Sequence, residues 1–398
     1  MYRFILHHNP PRNRIPIVKI AVFIYGMTGG GAQKRTLTLI KEFVGRGHQV
    51  DLVVVKPSGA LHAEIPAAVR CVPLKSRWVE CLPGKGLRKL KLFCCRRALA
   101  DYLRQHRPDV LLSAASHASL TALAARRLSD TGTPLVLRES SHLTASHAGA
   151  LNLFNRIRYL TACRWYAEAD ALIAVSRDIA EDIAQNTGLA QHRIRTIYNP
   201  TFTEDLIDRS SAPLEHPWFE EGGPPVILGV GRLTACKDFA NLIKAFAAVR
   251  SRRPARLVIL GEGSLRKDLT TLAQSLSIAA DIDMPGYVSN PLAWMSRASV
   301  FVLSSSREGL PGVLIEAMAA GCRVVSTDCP SGPAEILENG KYGRLVPVGD
   351  HGALAQAILA TLDSPHDPQS LRTRAADFSV NKAVDDYLEL LLRVSKER

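Results

Sequence analysis

Two series of short apolar runs, each alternating with helical patterns, constrain the fold more than any other feature of the chain. Such alternation is typical of parallel βαβ units, in which helices cover both faces of a buried sheet. The first series predicts strands at 18–25, 49–55, 109–114, 134–139, 171–176 and 194–199, and the second predicts strands at 226–231, 256–261, 299–305 and 323–327.

The segment between the two series, residues 199–225, is rich in Pro, Gly and acidic residues and predicts a connection between domains. The 398 residues of the chain also exceed what one hydrophobic core usually spans. We therefore predict an α/β protein of two doubly wound domains, with a ligand cleft where the carboxyl ends of their strands converge.

The stretch SSSREGLPGVLIEAMAAG, residues 304–321, places Glu308 and Glu316 on either side of a glycine-containing turn. The pattern predicts a buried strand, a turn and a helix, so the turn would carry backbone N–H groups and the positive end of the helix dipole. One carboxylate near a helix N-terminus can be a structural dipole partner. That account explains less well why two carboxylates stand beside Gly309 and Gly312.

Two cations, Arg232 and Lys237, follow the first strand of the second series. They stand between the end of a strand and the start of a helix, a position that suits a diphosphate. Surface salt bridges would explain the pair equally well.

A loop after the first strand contains Gly29, Gly30 and Gly31 and leads into a helix. Contiguous glycines allow backbone N–H groups to approach an anion or an acceptor closely. They lack the Gly-x-Gly-x-x-Gly spacing of a dinucleotide fingerprint, and a plain tight turn is the alternative.

The positive charge of the chain is concentrated in its first half. Residues 1–200 hold 29 Lys+Arg against 13 Asp+Glu, whereas residues 201–398 hold 21 against 24. The densest basic stretch, residues 84–108, interleaves Lys and Arg with Leu and Phe. It predicts either a helix on an anionic membrane surface or a solvated helix whose apolar side packs on its own sheet.

At this point the motifs carry a family resemblance. The stretch with Glu308 and Glu316 resembles the Glu-x7-Glu signature of glycosyltransferase family 4, which are retaining sugar-nucleotide transferases of GT-B fold. GGGAQKRTLTLIKEFVGRGHQV resembles the N-terminal loop-helix of that family, and GVGRLTACKDFANLIKAF, LVILGEGSLRKDL and GPAEILENGKYGRLVPVGD resemble its donor-binding domain. The likeness is weaker between residues 71 and 151, where such enzymes differ by acceptor.

The resemblance implies a role for each motif residue. Arg232 and Lys237 would hold the donor diphosphate, and Glu316 would accept the two ribose hydroxyls. Glu308 would orient the donor sugar. The other implied donor contacts are Gly309, Leu310, Pro311, Gly312 and Leu314 at the turn, and Glu262, Gly263, Tyr287 and Val288 near the base.

The resemblance also implies the chemistry. The co-substrate would be a nucleotide sugar, with UDP favoured, and the acceptor a glycan or lipid-linked molecule of cell-surface polysaccharide biosynthesis. In the front-face mechanism of the family the departing phosphate takes the acceptor proton, so Glu308 would not be a nucleophile. No cofactor or metal is expected, and the Asp-x-Asp at residues 281–283 is interpreted as chance.

A catalytic histidine is less well placed in this chain. Many relatives have one after the fourth or fifth strand, near the reacting sugar. Here His142 lies slightly beyond that place, and Glu139 could stand in for it. The Arg-Glu-Ser at residues 138–140 resembles family members that transfer N-acetylhexosamines.

The last helical pattern resembles the helix that crosses back to the first domain in GT-B proteins. It predicts an acceptor-binding domain of residues 1–200 plus 379–398, and a donor-binding domain of residues 201–378. The N-terminus is a poor signal peptide and no apolar run approaches the roughly 20 residues of a membrane span. We expect a cytoplasmic protein, peripheral at the inner face of the plasma membrane.

Two other functions would each use part of the sequence. An NAD-dependent oxidoreductase would use the glycine loop but would leave the motifs of the second domain unexplained. A basic membrane-binding or nucleic-acid-binding protein without catalysis would use the first half. Nucleic acid is not expected as a partner, because the basic segments lack aromatic stacking platforms and recognition motifs.

Overall fold

The computed structural model of the chain describes residues 16–75, 88–147 and 163–397. Their strands form two separate sheets, in which all neighbouring strands are parallel. The first sheet contains β1 (Lys19–Gly26), β2 (Gln49–Lys56), β3 (Arg70–Pro73), β4 (Val110–Ser113), β5 (Leu135–Glu139), β6 (Ala171–Ala174) and β7 (Ile194–Thr196), in the order β3-β2-β1-β4-β5-β6-β7. The second contains β8 (Val226–Val230), β9 (Arg256–Leu260), β10 (Ile282–Gly286), β11 (Val300–Leu303), β12 (Val324–Thr327) and β13 (Arg344–Val346), in the order β10-β9-β8-β11-β12-β13.

Both sheets have the doubly wound topology that the sequence predicts. The strand order reverses beside β1 in the first sheet and beside β8 in the second. Ligands of open α/β sheets bind outside the carboxyl ends of the strands at such reversals. The loops that follow β1 and β8 are the ones that carry the glycine run and the Arg232–Lys237 pair.

Three strands were missed by sequence reasoning, and all three lie at the edge of a sheet: β3, β10 and β13. Each is only partly buried, whereas β4, β11 and β12 are buried throughout. An edge strand therefore lacks the continuous apolar run that marks a central parallel strand. Pro73 and Pro285 lie in two of these edges, where an absent N–H is tolerated.

Helices pack on both faces of the sheets. They are α1 (Gly31–Gly45), α2 (Arg88–Cys94), α3 (Arg96–His106), α4 (Ser119–Ser129), α5 (Leu143–His147), α6 (Arg177–Thr187), α7 (Asp205–Ser210), α8 (Phe239–Arg250), α9 (Arg266–Ser275), α10 (Leu292–Met295), α11 (Gly312–Ala319), α12 (Pro333–Ile336), α13 (His351–Leu362), α14 (Pro368–Ala376) and α15 (Val380–Lys396). One apolar cluster joins α3, α4 and α6 of the first domain to α11 and α14 of the second. The two domains thus share a continuous apolar core.

The last helix, α15, crosses back to the first domain, as the sequence predicts. Its Tyr387 and Leu391 are buried against β1, β2 and α1, and the rings of Tyr387 and Phe43 lie 6.4 Å apart. The two chain segments that pass between the domains bind each other. The Phe202 N–H donates to the Phe378 carbonyl at 2.9 Å, and the Val380 N–H donates to the Phe202 carbonyl at 2.9 Å.

The predicted connection at residues 199–225 contains a helix that sequence reasoning did not anticipate. This helix, α7, packs against α10 and α11 of the second domain. Among the described residues no helix is both long and apolar enough to cross a membrane.

Candidate active site between the domains

The site is built around the turn that joins β11 to α11. Glu308 stands in the turn and Glu316 lies on α11, about one helical turn from its start. Sequence reasoning predicted this strand, turn and helix. The apolar side chains of the segment anchor it, because Leu310 and Leu314 are buried in the core. Any contact of these two leucines with a ligand would therefore be made by their backbone.

Glu308 is bound within its own domain. Its Oε1 lies 2.5 Å from Lys237 Nζ and accepts a hydrogen bond of 2.6 Å from Ser305 Oγ. Lys237 ends a single 3-10 turn immediately before α8, and Ser304 Oγ donates to its carbonyl at 2.8 Å. Both members of the ion pair are largely buried, with 19% and 13% of their side chains exposed. The structure thus brings two predicted site residues into direct contact.

Arg232 stands on the same loop as Lys237 but is exposed. Within the described part of the chain its guanidinium makes no hydrogen bond or ion pair. It is therefore available to an anion at the carboxyl end of β8.

Glu316 is bound by the other domain. Its Oε1 accepts a hydrogen bond of 2.7 Å from Nη2 of Arg35, which lies on α1. Arg35 Nη1 also donates to the Pro200 carbonyl at 3.2 Å. Sequence reasoning missed Arg35, although it lies on the helix that follows the glycine loop. Gly30 is the N-cap of that helix and Gly31 its first residue, so the predicted glycine loop leads directly into the helix that carries Arg35.

Two glycines of the turn allow the first domain to approach. A Cβ on Gly309 would lie 2.2 Å from the Ser140 carbonyl oxygen, and a Cβ on Gly312 would lie 2.4 Å from Arg35 Nη2. These glycines therefore have a structural function in docking, besides the ligand contact that the sequence predicts.

A buried chain of hydrogen bonds reaches the turn from β5. Arg138 is 1% exposed, and its Nη2 donates to Asn199 Oδ1 at 2.6 Å. Asn199 Nδ2 in turn donates to the Leu310 carbonyl at 3.1 Å. Sequence reasoning did not assign these contacts. The only signal for them is the pair of charged residues that ends the otherwise apolar strand β5.

Of the two predicted alternatives beside the reacting sugar, Glu139 is wholly buried. Its Oε1 accepts hydrogen bonds from Ser119 Oγ at 2.8 Å and from the Tyr166 hydroxyl at 2.7 Å. Burial raises the pKa of Glu139 above its ordinary value, although the hydrogen bonds from Ser116, Tyr166 and Ser119 act in the opposite direction. In this arrangement Glu139 has no surface that a sugar could contact.

His142, the other alternative, is partly exposed. Its Nδ1 lies 3.2 Å from Asp182 Oδ2 on α6 and 3.3 Å from the Ala145 nitrogen. A protonated Nδ1 donates to the carboxylate, whereas an unprotonated Nδ1 accepts from the amide, so the tautomer selects one of these bonds. With 23% of its side chain exposed, His142 can contact a ligand at the edge of the cleft.

The predicted base-binding residues lie together at the ends of β9 and β10. Glu262 forms an ion pair of 2.6 Å with Arg266, and the hydrogen bond from Arg266 lowers the pKa of Glu262. Gly263 follows it, Tyr287 is 70% exposed and Val288 is partly buried. Residues 16–75, 88–147 and 163–397 contain no group of three or more His, Cys, Asp or Glu side chains arranged to hold a metal ion.

Comparisons with known proteins match both halves of the chain. The family model for glycosyltransferase family 4 matches residues 29–205, and the model for glycosyl transferases group 1 matches residues 214–378. A Campylobacter jejuni N-acetylgalactosaminyltransferase, which acts on N-acetylgalactosamine-N,N'-diacetylbacillosaminyl-diphospho-undecaprenol, is 29% identical over 94% of this chain and 99% of its own. A lipopolysaccharide core biosynthesis glycosyltransferase of Rhizobium meliloti is 27% identical over 94% and 99%.

Solved structures share the fold over nearly the whole chain. The lipopolysaccharide outer core galactosyltransferase WaaB in its apo form superposes with a TM-score of 0.70, at 21% identity, over 94% of this chain and 98% of its own. The Anabaena protein Alr3699/HepE in complex with UDP-glucose superposes with a TM-score of 0.73, at 18% identity, over the same shares.

Proposed function

The chain belongs to the family 4 glycosyltransferases of GT-B fold, and on that premise we propose that it transfers a hexosyl or N-acetylhexosaminyl unit from a nucleotide sugar to a glycan or lipid-linked acceptor. The proposal includes a role in bacterial cell-surface polysaccharide biosynthesis, since the relatives over the whole chain act in lipopolysaccharide core biosynthesis or on a diphospho-undecaprenol acceptor. UDP is the proposed nucleotide, because the fold neighbour Alr3699/HepE binds UDP-glucose.

The observation that carries the proposal is the Lys237–Glu308 pair beside Arg232 at the carboxyl end of β8. Cleavage of a sugar nucleotide builds negative charge on the departing diphosphate. Cations held in place before the reaction stabilise that charge without reorganising. Arg232 and Lys237 would bind the diphosphate oxygens, with Arg as a planar clamp and Lys as a point charge.

Glu308 acts in this proposal as an orienting group for the donor sugar. Its Oε1 is already occupied by Lys237 and Ser305, which disfavours the exposed, free carboxylate of a nucleophile. The acceptor proton passes to the departing phosphate, and the configuration at the sugar carbon is retained. A glycosyl adduct trapped on Glu308 and detected by mass spectrometry would contradict this mechanism.

His142 rather than Glu139 is proposed to contact the reacting sugar. The ring of His142 is partly exposed and Asp182 can orient it, whereas Glu139 is buried and hydrogen-bonded to Ser119 and Tyr166. A hydrogen bond from this imidazole to a sugar hydroxyl would position the ring of the donor during transfer.

The basic segment divides into two parts. In α3 the apolar side chains Leu99 and Leu103 are buried against the sheet. This part of the segment therefore corresponds to the second alternative, a solvated helix whose apolar side packs on its own sheet. In α2, however, Leu90 and Phe93 are 45% and 50% exposed, and the Arg96 guanidinium lies 3.9 Å from the Phe93 ring centroid. Residues 84–87 of the predicted segment lie outside the described residues.

We therefore propose α2 as the part that meets an anionic membrane surface, where lipid-linked acceptors are held. The test is sedimentation with vesicles of anionic and of neutral lipid. Phe93→Ser should reduce binding to anionic vesicles, whereas Leu128→Ser, which removes an apolar side chain that is 42% exposed on α4, should not. Equal binding by both variants and the wild type would refute this surface.

The donor is tested by thermal shift and hydrolysis assays across UDP-, GDP- and ADP-sugars. We expect UDP-sugars to stabilise the wild type and to be turned over. The absence of any response to all three nucleotides would refute the proposed function. Detection of bound nicotinamide would instead favour the oxidoreductase alternative.

A further inference from the structure

Both glutamates of the signature are paired with a cation, but the pairs differ in origin. The partner of Glu308 is Lys237, which belongs to the same domain. The partner of Glu316 is Arg35, which lies 281 residues earlier in the chain and on the opposite domain. Glu316 is also the carboxylate proposed to bind the ribose, so its ion pair stands in the place of a ligand contact.

The guanidinium of Arg35 lies against the first turn of α11. Its Nη2 is so close to Gly312 that a Cβ on that residue would lie 2.4 Å away. The free N–H groups at the start of a helix and the guanidinium both attract negative charge. Among the residues that the structure describes, the Glu316 carboxylate and the Pro200 carbonyl are the groups that accept from Arg35. The location therefore suits an anion that approaches between the two domains.

Burial makes this ion pair responsive to a ligand. The side chains of Arg35 and Glu316 are 17% and 24% exposed, so few water molecules can replace a broken bond between them. A ligand that takes Glu316 must therefore offer Arg35 another acceptor, or leave a cation poorly solvated. A nucleoside diphosphate can bind both side chains, since its ribose hydroxyls donate to a carboxylate and its phosphate oxygens accept from a guanidinium.

We propose that Arg35 is a donor-binding residue supplied by the first domain. As the nucleotide sugar enters, the ribose hydroxyls replace Arg35 on Glu316, and the guanidinium turns to the diphosphate beside the start of α11. No proton is transferred in this exchange, because arginine and the carboxylate both keep their charge. This inference rests on the proposed function.

The exchange gives the site a preference for nucleotides over nucleosides. Uridine can bind the Glu316 carboxylate through its ribose hydroxyls, but it offers Arg35 no acceptor in exchange. UDP binds Glu316 in the same way and also offers its phosphate oxygens to Arg35. Removal of the guanidinium should therefore weaken the binding of UDP but not that of uridine.

The test compares Arg35→Ala with Lys41→Ala. Lys41 lies on the same helix, and its pair with Glu64 is exposed, at 3.6 Å. Affinity for UDP is measured by titration calorimetry, and affinity for uridine by competition with UDP. In Arg35→Ala we expect UDP to bind about tenfold or more weakly, while uridine binds as well as to the wild type or better. Lys41→Ala should leave both affinities unchanged, and Arg35→Lys should recover part of the loss for UDP.

The outcomes separate the inference from the proposed function. If the wild type binds UDP, but Arg35→Ala keeps the same ratio of UDP affinity to uridine affinity, the inference alone is wrong. In that case Arg35 merely holds the domains together, and its loss would lower the Tm and both affinities alike. If the wild type binds neither UDP, GDP nor ADP, the proposed function and the inference are wrong together. Circular dichroism on each variant confirms that it folds.

Discussion

The two walls of the cleft are built in different ways. The wall of the second domain is made by neighbours in one sheet, since Lys237 follows β8 and its partner Glu308 follows β11. The wall of the first domain meets the same turn only through docking, by Arg35, Ser140 and Asn199. Residue spacing along the chain can therefore predict a site within one domain, but it carries no information about contacts that form only between two domains.

The comparison also separates the consequences of substitution. Changes in the second wall remove groups that would act on the diphosphate, and should reduce catalysis while the protein stays folded. Changes in the docking contacts act on the arrangement of the domains, and changes deep in the first wall should act on stability alone.

The largest effect is expected for Lys237→Ala. Loss of one cation that is held beside the proposed diphosphate position should lower kcat about 10³-fold. Lys244→Ala is the control, because Lys244 is an exposed lysine on α8, the helix that Lys237 precedes. Steady-state turnover of the nucleotide sugar that the donor assays identify measures both. A Lys237→Ala enzyme with nearly full activity would show that Lys237 does not contribute to the reaction.

Gly309→Ala tests docking. The new Cβ would lie 2.2 Å from the Ser140 carbonyl oxygen, a backbone atom that cannot turn aside, so the domains must separate locally. Misplacement of reacting groups by about 1 Å can lower the rate about 100-fold, and we expect a loss of that order in kcat/KM. Gly45→Ala is the matched control, because a Cβ there meets no atom within 4 Å. An unaltered kcat/KM would show that docking at Gly309 is dispensable.

A smaller effect is expected for His142→Ala. If its imidazole donates one hydrogen bond to the reacting sugar, its loss should lower kcat about tenfold. His192→Ala, at an exposed histidine of the same domain, should leave kcat unchanged. Should both variants behave like the wild type, His142 serves only the start of α5, through Asp182.

The smallest effect on activity, and a distinct effect on stability, is expected for Glu139→Gln. Burial raises the pKa of Glu139, so the folded state keeps its proton at a pH where the unfolded state has lost it. Stability that this group contributes is therefore present at low pH and is lost as the pH rises above about 4, its ordinary range. The glutamine variant has no carboxyl group to ionise at this position, so its stability does not fall in this way as the pH rises.

The measurement is Tm for both proteins from about pH 5 to 8. The Tm of Glu139→Gln relative to the wild type should rise with pH, while activity at neutral pH stays close to that of the wild type. Glu335, whose pKa is also raised by burial, contributes to the pH dependence of Tm in both proteins. A Tm difference that does not change with pH would contradict the assignment.

The limits of sequence reasoning follow from the same contrast. The central strands were predicted because burial on both faces selects continuous apolar runs. Three of the four edge strands, β3, β10 and β13, were missed because they are only partly buried, whereas the fourth, β7, was predicted although it too is partly buried. Glu308 and Lys237 were predicted as parts of one site, and the structure places them 2.5 Å apart. Their assigned roles stay predictions.

Arg35 and Asn199 could not be found in this way. Their partners, Glu316 and the Leu310 carbonyl, lie 281 and 111 residues away along the chain, and no local period links such positions. Docking of the two domains depends on shape and on the path of the chain between them. Gly309 and Gly312 could be recognised as unusual in sequence, but the atoms they accommodate became apparent only in three dimensions.

The return of α15 to the first sheet has a consequence for the order of events during synthesis. The apolar face formed by β1, β2 and α1 is covered by Tyr387 and Leu391, which the ribosome adds after every residue of the second sheet. Domains usually fold in the order in which they emerge. Here the later domain can complete its core first, while the earlier one keeps an uncovered apolar surface until Tyr387 and Leu391 have been added.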